Sequence, residues 1–457
     1  MHRPKLHVGI LAPAVAVFRL TALGQDSWAE NYAEALAAYN AGHYDKARQA
    51  LESALEYDDL PANKAQRLDA AAALAAAYEK LGQTVFAESW YAAIIPAIDE
   101  NSDEERKILS VVLTNFGSMR LEQGRLREGT PMLEKALAVN QRLFGEDSPV
   151  TAASLDTLGA VYLIEGRQRE ATELLEQAIG TLRKAQPRYA RVLVATMGHL
   201  GRAYIEREDY VHSDPLFEEA LDIGTRIGDT EPVFGDTLLA FASSLRLQHK
   251  MNRVEPLLKK AQAVYEKTGR MQQMRGVGLL TNFGFLRMDE GKYFAAEEYF
   301  QQALRLLTRI FGPDAPSVAL TEINLADAAL RAGDYRECND LLDHSYPIER
   351  REFAKTTSFA RWSHVRAQLD DKLGRETAAD GHFKDAIALF EQTAGVNHPL
   401  TAGALLTYSR FLSNTSRRNC APNPVAVRSS KWPPPVSLAG RHASEMAFDA
   451  GIAINRA

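Results

Sequence analysis

Cysteine is nearly missing from this chain: two residues in 457, Cys338 and Cys420. No disulfide framework can therefore hold it together. Positive charge is not in excess either, with a formal net charge of −6. A protein without a basic stripe gains little from counterion release, which argues against nucleic acid as its main partner. Long apolar runs are also scarce. The uncharged, mostly apolar stretch at residues 8–18 is too short to cross a bilayer as a stable helix, so no stable membrane span is expected. The usual catalytic signatures are lacking: there is no GxxxxGK[ST], HExxH, CxxC or GxSxG. The histidines are scattered, and no two stand four apart as zinc ligands on one helix face would. Gly276-Val277-Gly278 opens a helix but follows no strand pattern, so it does not make a dinucleotide site. Acidic clusters such as Asp103-Glu104-Glu105 read as loop caps and solvated faces. Taken together, these absences leave no metal, no cofactor and no enzyme to expect.

What is present is a period. Residues 143–178 contain one complete cycle. Gly145 is placed to end a helix in a left-handed conformation. Ser148 and Pro149 form an N-cap and a first-turn proline. Leu155, Leu158, Gly159 and Tyr162 recur at helical spacing on one face. Gly166 breaks that helix, and Ala171, Leu175 and Ala178 mark the inner face of the next. A hairpin this short cannot bury its apolar side alone and needs copies beside it.

The copies follow at intervals of about 42 residues. The small residue at Gly159 recurs as Ala35, Ala75, Gly117, Gly201, Ala242, Gly284, Ala326, Ala367 and Ser409. The slot of Ala171 recurs as Ala47, Ala87, Gly129, Ser213, Val254, Ala296, Cys338, Ala379 and Ala421. Cys338 is thus expected to be a buried small hydrophobe rather than a reactive thiol. Turn glycines recur at Gly42, Gly82, Gly124, Gly291, Gly333 and Gly374, and loop prolines at Pro232, Pro316 and Pro399. Pro131, Pro215 and Pro256 share one place near the start of the second helix. Those helices are expected to begin late or bend there.

This pattern resembles the tetratricopeptide repeat. Leu158, Gly159, Tyr162, Ala171 and Leu175 match its consensus, as do Leu200, Gly201, Tyr204 and Phe217. The period exceeds the usual 34 by about eight residues. With the loops FGEDSPVTA, FGPDAPSVA and VNHPLTAGA, that is similar to the kinesin-light-chain-like subgroup. HEAT and armadillo repeats rival it by length, but small residues facing each other within each hairpin favour the tetratricopeptide form. The resemblance implies an all-α fold, a right-handed α-solenoid of about ten tandem helical hairpins spanning residues 25–417.

It also implies that the first helix of each repeat lines a concave groove. By phase, the groove residues are Asn115, Ser118, Asp156, His199, Arg202, Ser243, Arg246, Asn282, Asn324, Asp327, Arg361 and His364. In the family, asparagines such as Asn115, Asn282 and Asn324 bond the backbone of an extended peptide; here they either do so or bond a neighbouring helix. Arg202 and Arg246 suit an acidic side chain or C-terminal carboxylate. The expected function is a non-enzymatic scaffold that holds a protein or peptide in the groove. The alternative is a sensor or regulatory subunit whose effector, protease- or kinase-like, lies on another chain.

The ends depart from the repeat. Residues 1–24 have a basic start, an apolar run and small residues before Gln25. They read as a secretory signal peptide or an N-terminal extension, so the chain is expected to be exported if this leader is cleaved and cytoplasmic otherwise. Residues 418–457 lose the apolar period and gain Pro422, Pro424 and Pro433 to Pro435. They read as a disordered tail or the product of a frameshift. The last repeat would then lack its second helix, which allows either a monomer or a weak end-to-end dimer.

Overall fold

The computed structural model describes residues 27–55, 63–228 and 231–414. The expected signal peptide and C-terminal tail fall outside them. The described residues form nineteen α-helices and no strand. No helix among them is long and apolar enough to cross a membrane.

The chain divides into two compact units, Pro4–Ala203 and Tyr204–Ala457. In the first, the hairpins are α1 (Ser27–Asn40) with α2 (Tyr44–Leu55), α3 (Lys64–Lys80) with α4 (Thr84–Ile94), α5 (Asp103–Glu122) with α6 (Leu126–Phe144), and α7 (Pro149–Ile164) with α8 (Gln168–Lys184). Helix α9 (Ala190–Ile205) follows. The second unit continues with α10 (Tyr210–Arg226), α11 (Pro232–Leu247), α12 (Val254–Lys267), α13 (Met274–Asp289) and α14 (Tyr293–Phe311). Then come α15 (Pro316–Ala332), α16 (Tyr335–Glu352), α17 (Thr357–Lys372), α18 (Glu376–Thr393) and α19 (Pro399–Asn414). Within each unit, first helices pack on their own second helices, and also on the next first helix, as α3 does on α5 and α15 on α17. Each unit is therefore a run of α-solenoid with its core spread along the repeats.

The local signals act as their chemistry requires. Pro149, Pro232, Pro316 and Pro399 each open a helix, where a missing N–H costs nothing. Asn63 and Gln66 form a reciprocal capping box, and Ser148 Oγ accepts the Val150 N–H at 3.2 Å. Gly145 has a positive φ of 83°, but its ψ of 163° is extended, so it ends α6 without entering the left-handed helical region. Pro256 follows a 3₁₀ turn, Met251–Arg253, before α12, which is the late start expected. Pro131 and Pro215 instead sit inside α6 and α10, which begin on schedule.

The small slots are contact points. Ala35, Ala75, Ala242, Ala326 and Ala367 are fully buried, and so are Ala47, Ala87, Ala171, Ala296 and Cys338. Burial pushes the Cys338 thiol up to about 12, so it packs as a hydrophobe. What fills the space above each first-helix slot is the track to which the consensus residues Leu175 and Phe217 belong. A large side chain sixteen positions later is buried in each of the nine repeats whose second helix is described: Leu51, Tyr91, Leu133, Leu175, Phe217, Leu258, Phe300, Leu342 and Phe383. A β-carbon at Gly159 would stand 2.7 Å from Leu175 Cγ, and one at Gly284 would stand 2.5 Å from Phe300 Cε1. Gly284→Phe is therefore expected to destabilise the protein by about 1–3 kcal/mol. Unchanged thermal unfolding of that variant would remove the slot assignment.

The turn after each first helix requires a positive φ, which closes paired backbone bonds such as Gly166 N–H to Leu163 and Arg167 N–H to Tyr162. Two repeats lack the glycine there. Glu208 and His249 hold φ of 56° and 59° in its place. A β-carbon makes this conformation unfavourable by roughly 1–2 kcal/mol. Glu208→Gly, at an exposed site, is expected to raise stability by about 1 kcal/mol, part of the strain being offset by glycine's entropy. An unchanged or lower denaturation midpoint would contradict it.

Candidate functional site

The first-helix residues expected in the groove fall into three structural groups. One group links neighbouring repeats. In the first unit, His199 Nδ1 meets Asp156 Oδ1 at 2.8 Å, joining α9 to α7. In the second, Ser243 Oγ donates to Asn282 Oδ1 at 2.8 Å and Asn282 Nδ2 donates to the Gly278 carbonyl at 2.9 Å. Arg246 Nη1 donates to Asp289 Oδ2 at 3.0 Å, Arg361 Nη2 to Asn324 Oδ1 at 2.5 Å, and His364 Nε2 meets Thr407 Oγ1 at 2.6 Å. These cross-repeat partners lie 37–43 residues apart, about one repeat in sequence. The same period that builds the apolar slots thus builds a row of polar links between first helices.

A second group is enclosed. Helix α15 is buried on every side from residue 317 to 330. Asn324 and Asp327 lie on it at 2% and 6% exposure, closed in rather than lining an open surface. Asp327 accepts from Arg331 Nε at 2.9 Å. Asn324 Nδ2 has no partner among the described residues. In the first unit, buried Asn115 lies beside the Tyr91 hydroxyl, which donates to Glu79 at 3.1 Å. Ser118 is buried as well.

The third group reaches the surface. The two arginines expected to take a carboxylate have separated. Arg246 is 1% exposed, lies 5.2 Å from the Phe285 ring centroid, and is matched to Asp289. Arg202 is half-buried and carries no recorded partner among the described residues. Three residues before it on α9, His199 is fixed by Asp156 through Nδ1, which orients the ring and leaves Nε2 as its other polar edge. Both side chains are half-buried, as are Ser243 and Asn282 on their own helices.

The helical hairpins, the period and the paired small slots coincide with two family matches. Tetratricopeptide repeat models match residues 109–184, 277–351 and 193–227. The chain is a tetratricopeptide repeat protein. RapI in its apo form is similar to it, with 12% identity over 80% of this chain and 97% of RapI and a TM-score of 0.56. A monomeric IFIT1 mutant with Gppp-AAAA is similar too, with 13% identity over 93% of this chain and 91% of that one and a TM-score of 0.52. Kinesin light chain-like repeats of Podosopora anserina show 19% identity over 53% of this chain and 96% of theirs, with a TM-score of 0.27. No curated protein matches the chain in sequence. At these identities the likenesses to RapI and IFIT1 show the fold alone and leave the ligand to be argued from the chain's own residues.

Proposed function

We propose that this tetratricopeptide repeat protein is a non-enzymatic scaffold that binds an acidic segment of another protein on its first-helix face. The observation that carries this reading is Arg202: a half-buried guanidinium one helical turn from an imidazole held in place by Asp156. A guanidinium favours carboxylate or backbone carbonyl oxygen, and a charge-assisted bond at such a site is strong. Neighbouring first helices joined by polar links hold that face in shape before any ligand arrives, which lowers the entropic cost of binding. Export remains part of the proposal through residues 1–24; a mature chain beginning at Met1 or His2 would remove it.

The test is binding of fluorescent peptides of matched length and varied charge. Acidic peptides are expected to bind tighter than neutral ones, more weakly at high salt, and at least about tenfold more weakly to Arg202→Glu. No preference for acidic peptides, or equal binding by the variant, would overturn the proposal.

A further inference from the structure

Helix α4 differs from its counterparts in its outward face. Val85, Phe86, Ser89, Ala92, Ala93 and Pro96 are all exposed, Val85 by 77% and Phe86 by 57%. Their spacing places them on one side of the helix, with the 3₁₀ turn Ile95–Ala97 extending the stripe. None is charged. Ser89, the polar member, donates its hydroxyl back to the Phe86 carbonyl at 2.8 Å, which consumes its donor within the helix. At the matching steps α2 carries Asp45 and Lys46, α6 carries Glu134 and Lys135, and α8 carries Glu173 and Glu176. A solvated second helix needs such charges; α4 has none on this side. Glu88, its single charged residue, turns to Arg120 and Arg125.

We propose that this face of α4 is the contact between two copies of the chain, packed antiparallel about a two-fold axis at Ser89. Bulky Val85 and Phe86 occupy one half of the stripe, and flat Ala92 and Ala93 occupy the other. An antiparallel second copy sets Val85 over Ala93 and Phe86 over Ala92, in both directions at once, with Ser89 facing Ser89. This is the self-complementarity an isologous contact requires. Phe86 stacks on Tyr78 of its own chain, with ring centroids 5.3 Å apart, so it is held ready rather than free to fold away. Charge favours the same occupant. A chain of net charge −6 repels its copies, and a face without charge is where they can approach. The stripe is about 20 Å long, so one helix pair buries less than the roughly 1,000 Å² of a stable interface. The dimer is weak and concentration-dependent.

The experiment is sedimentation of the full-length chain from low to high micromolar concentration, with wild type, Phe86→Glu and Ala93→Glu compared. Wild type is expected to shift from monomer to dimer. Each variant is expected to weaken the dimer at least tenfold while keeping the same helical signal and unfolding midpoint. A second readout places Ser89→Cys in a Cys338→Ala, Cys420→Ala background. It is expected to cross-link into a covalent dimer under mild oxidation, while Val211→Cys, equally accessible elsewhere, does not. A chain that stays monomeric throughout, variants that dimerise as wild type does, or a slow Ser89→Cys cross-link would each overturn the proposal. So would Ser89→Cys that reacts with a thiol reagent only after residues 1–24 are removed, since the chain's own N-terminus would then be the occupant.

Discussion

Arg246→Ala is expected to destabilise the protein by about 3–5 kcal/mol near pH 7. The side chain is 1% exposed, and its partner Asp289 is 5% exposed, with a 3.0 Å bond between Nη1 and Oδ2. Burial is the main influence on Asp289 and raises its pKa; Arg246 is the first of the charges that pull it back, ahead of His249 and Arg331. Without Arg246 the carboxylate stays in a low-dielectric site with less to balance it. The loss should therefore shrink as pH falls and Asp289 takes up a proton. Replacing both partners, Arg246→Met with Asp289→Leu, removes both buried charges and should recover most of the stability. Denaturant unfolding of the two single variants and the double at pH 5 and pH 7 checks this. A double variant as unstable as Arg246→Ala would mean that the pair's geometry, rather than an orphaned charge, sets the loss.

Glu349→Gln is expected to stabilise the protein at pH 8 by roughly 3 kcal/mol and to make little difference at pH 4. Glu349 is fully buried on α16. Its carboxylate accepts from the Ser358 hydroxyl at 3.0 and 2.9 Å, and Arg361 acts on it from α17. Burial outweighs both and raises its pKa from 4.5 to about 7. The folded state thus holds a proton that the unfolded chain gives up more readily. This contribution is fully present below about pH 4.5 and is lost as pH rises through about 7. The amide keeps the neutral form at every pH. If wild type and Glu349→Gln show the same difference in stability at pH 5 and pH 8, the carboxyl is already ionised in the folded protein.

Neither residue stood out in the sequence for the role it has. Arg246 was readable as inward-facing, because phase along α11 gives direction. Its capture by Asp289 was not, since Asp289 lies one repeat away and that distance depends on how tightly α11 and α13 approach. The same holds for Asn282 and His364, whose partners Ser243 and Thr407 sit on adjacent first helices. Glu349 and Ser358 lie nine residues apart, across the connection between α16 and α17, where no period operates. Glu208 and His249 could have been found. They occupy places where the spacing of turn glycines demands a positive φ and glycine is missing.

Sequence by itself determined the element order, the hairpin length and the tetratricopeptide family. Each of those rests on local rules: proline at the first helical position, glycine where φ is positive, a small side chain where two helices cross. Such rules repeat because each hairpin meets the same neighbours, so one period exposes them all. Tertiary structure alone decided which polar residues are matched inside the protein and which reach its surface. Whether an inward arginine is matched, as Arg246 is, or half-buried at a surface, as Arg202 is, depends on distances of a few ångströms between helices far apart in the chain. Coulomb and desolvation energies change steeply over that range, and no spacing along a sequence records it.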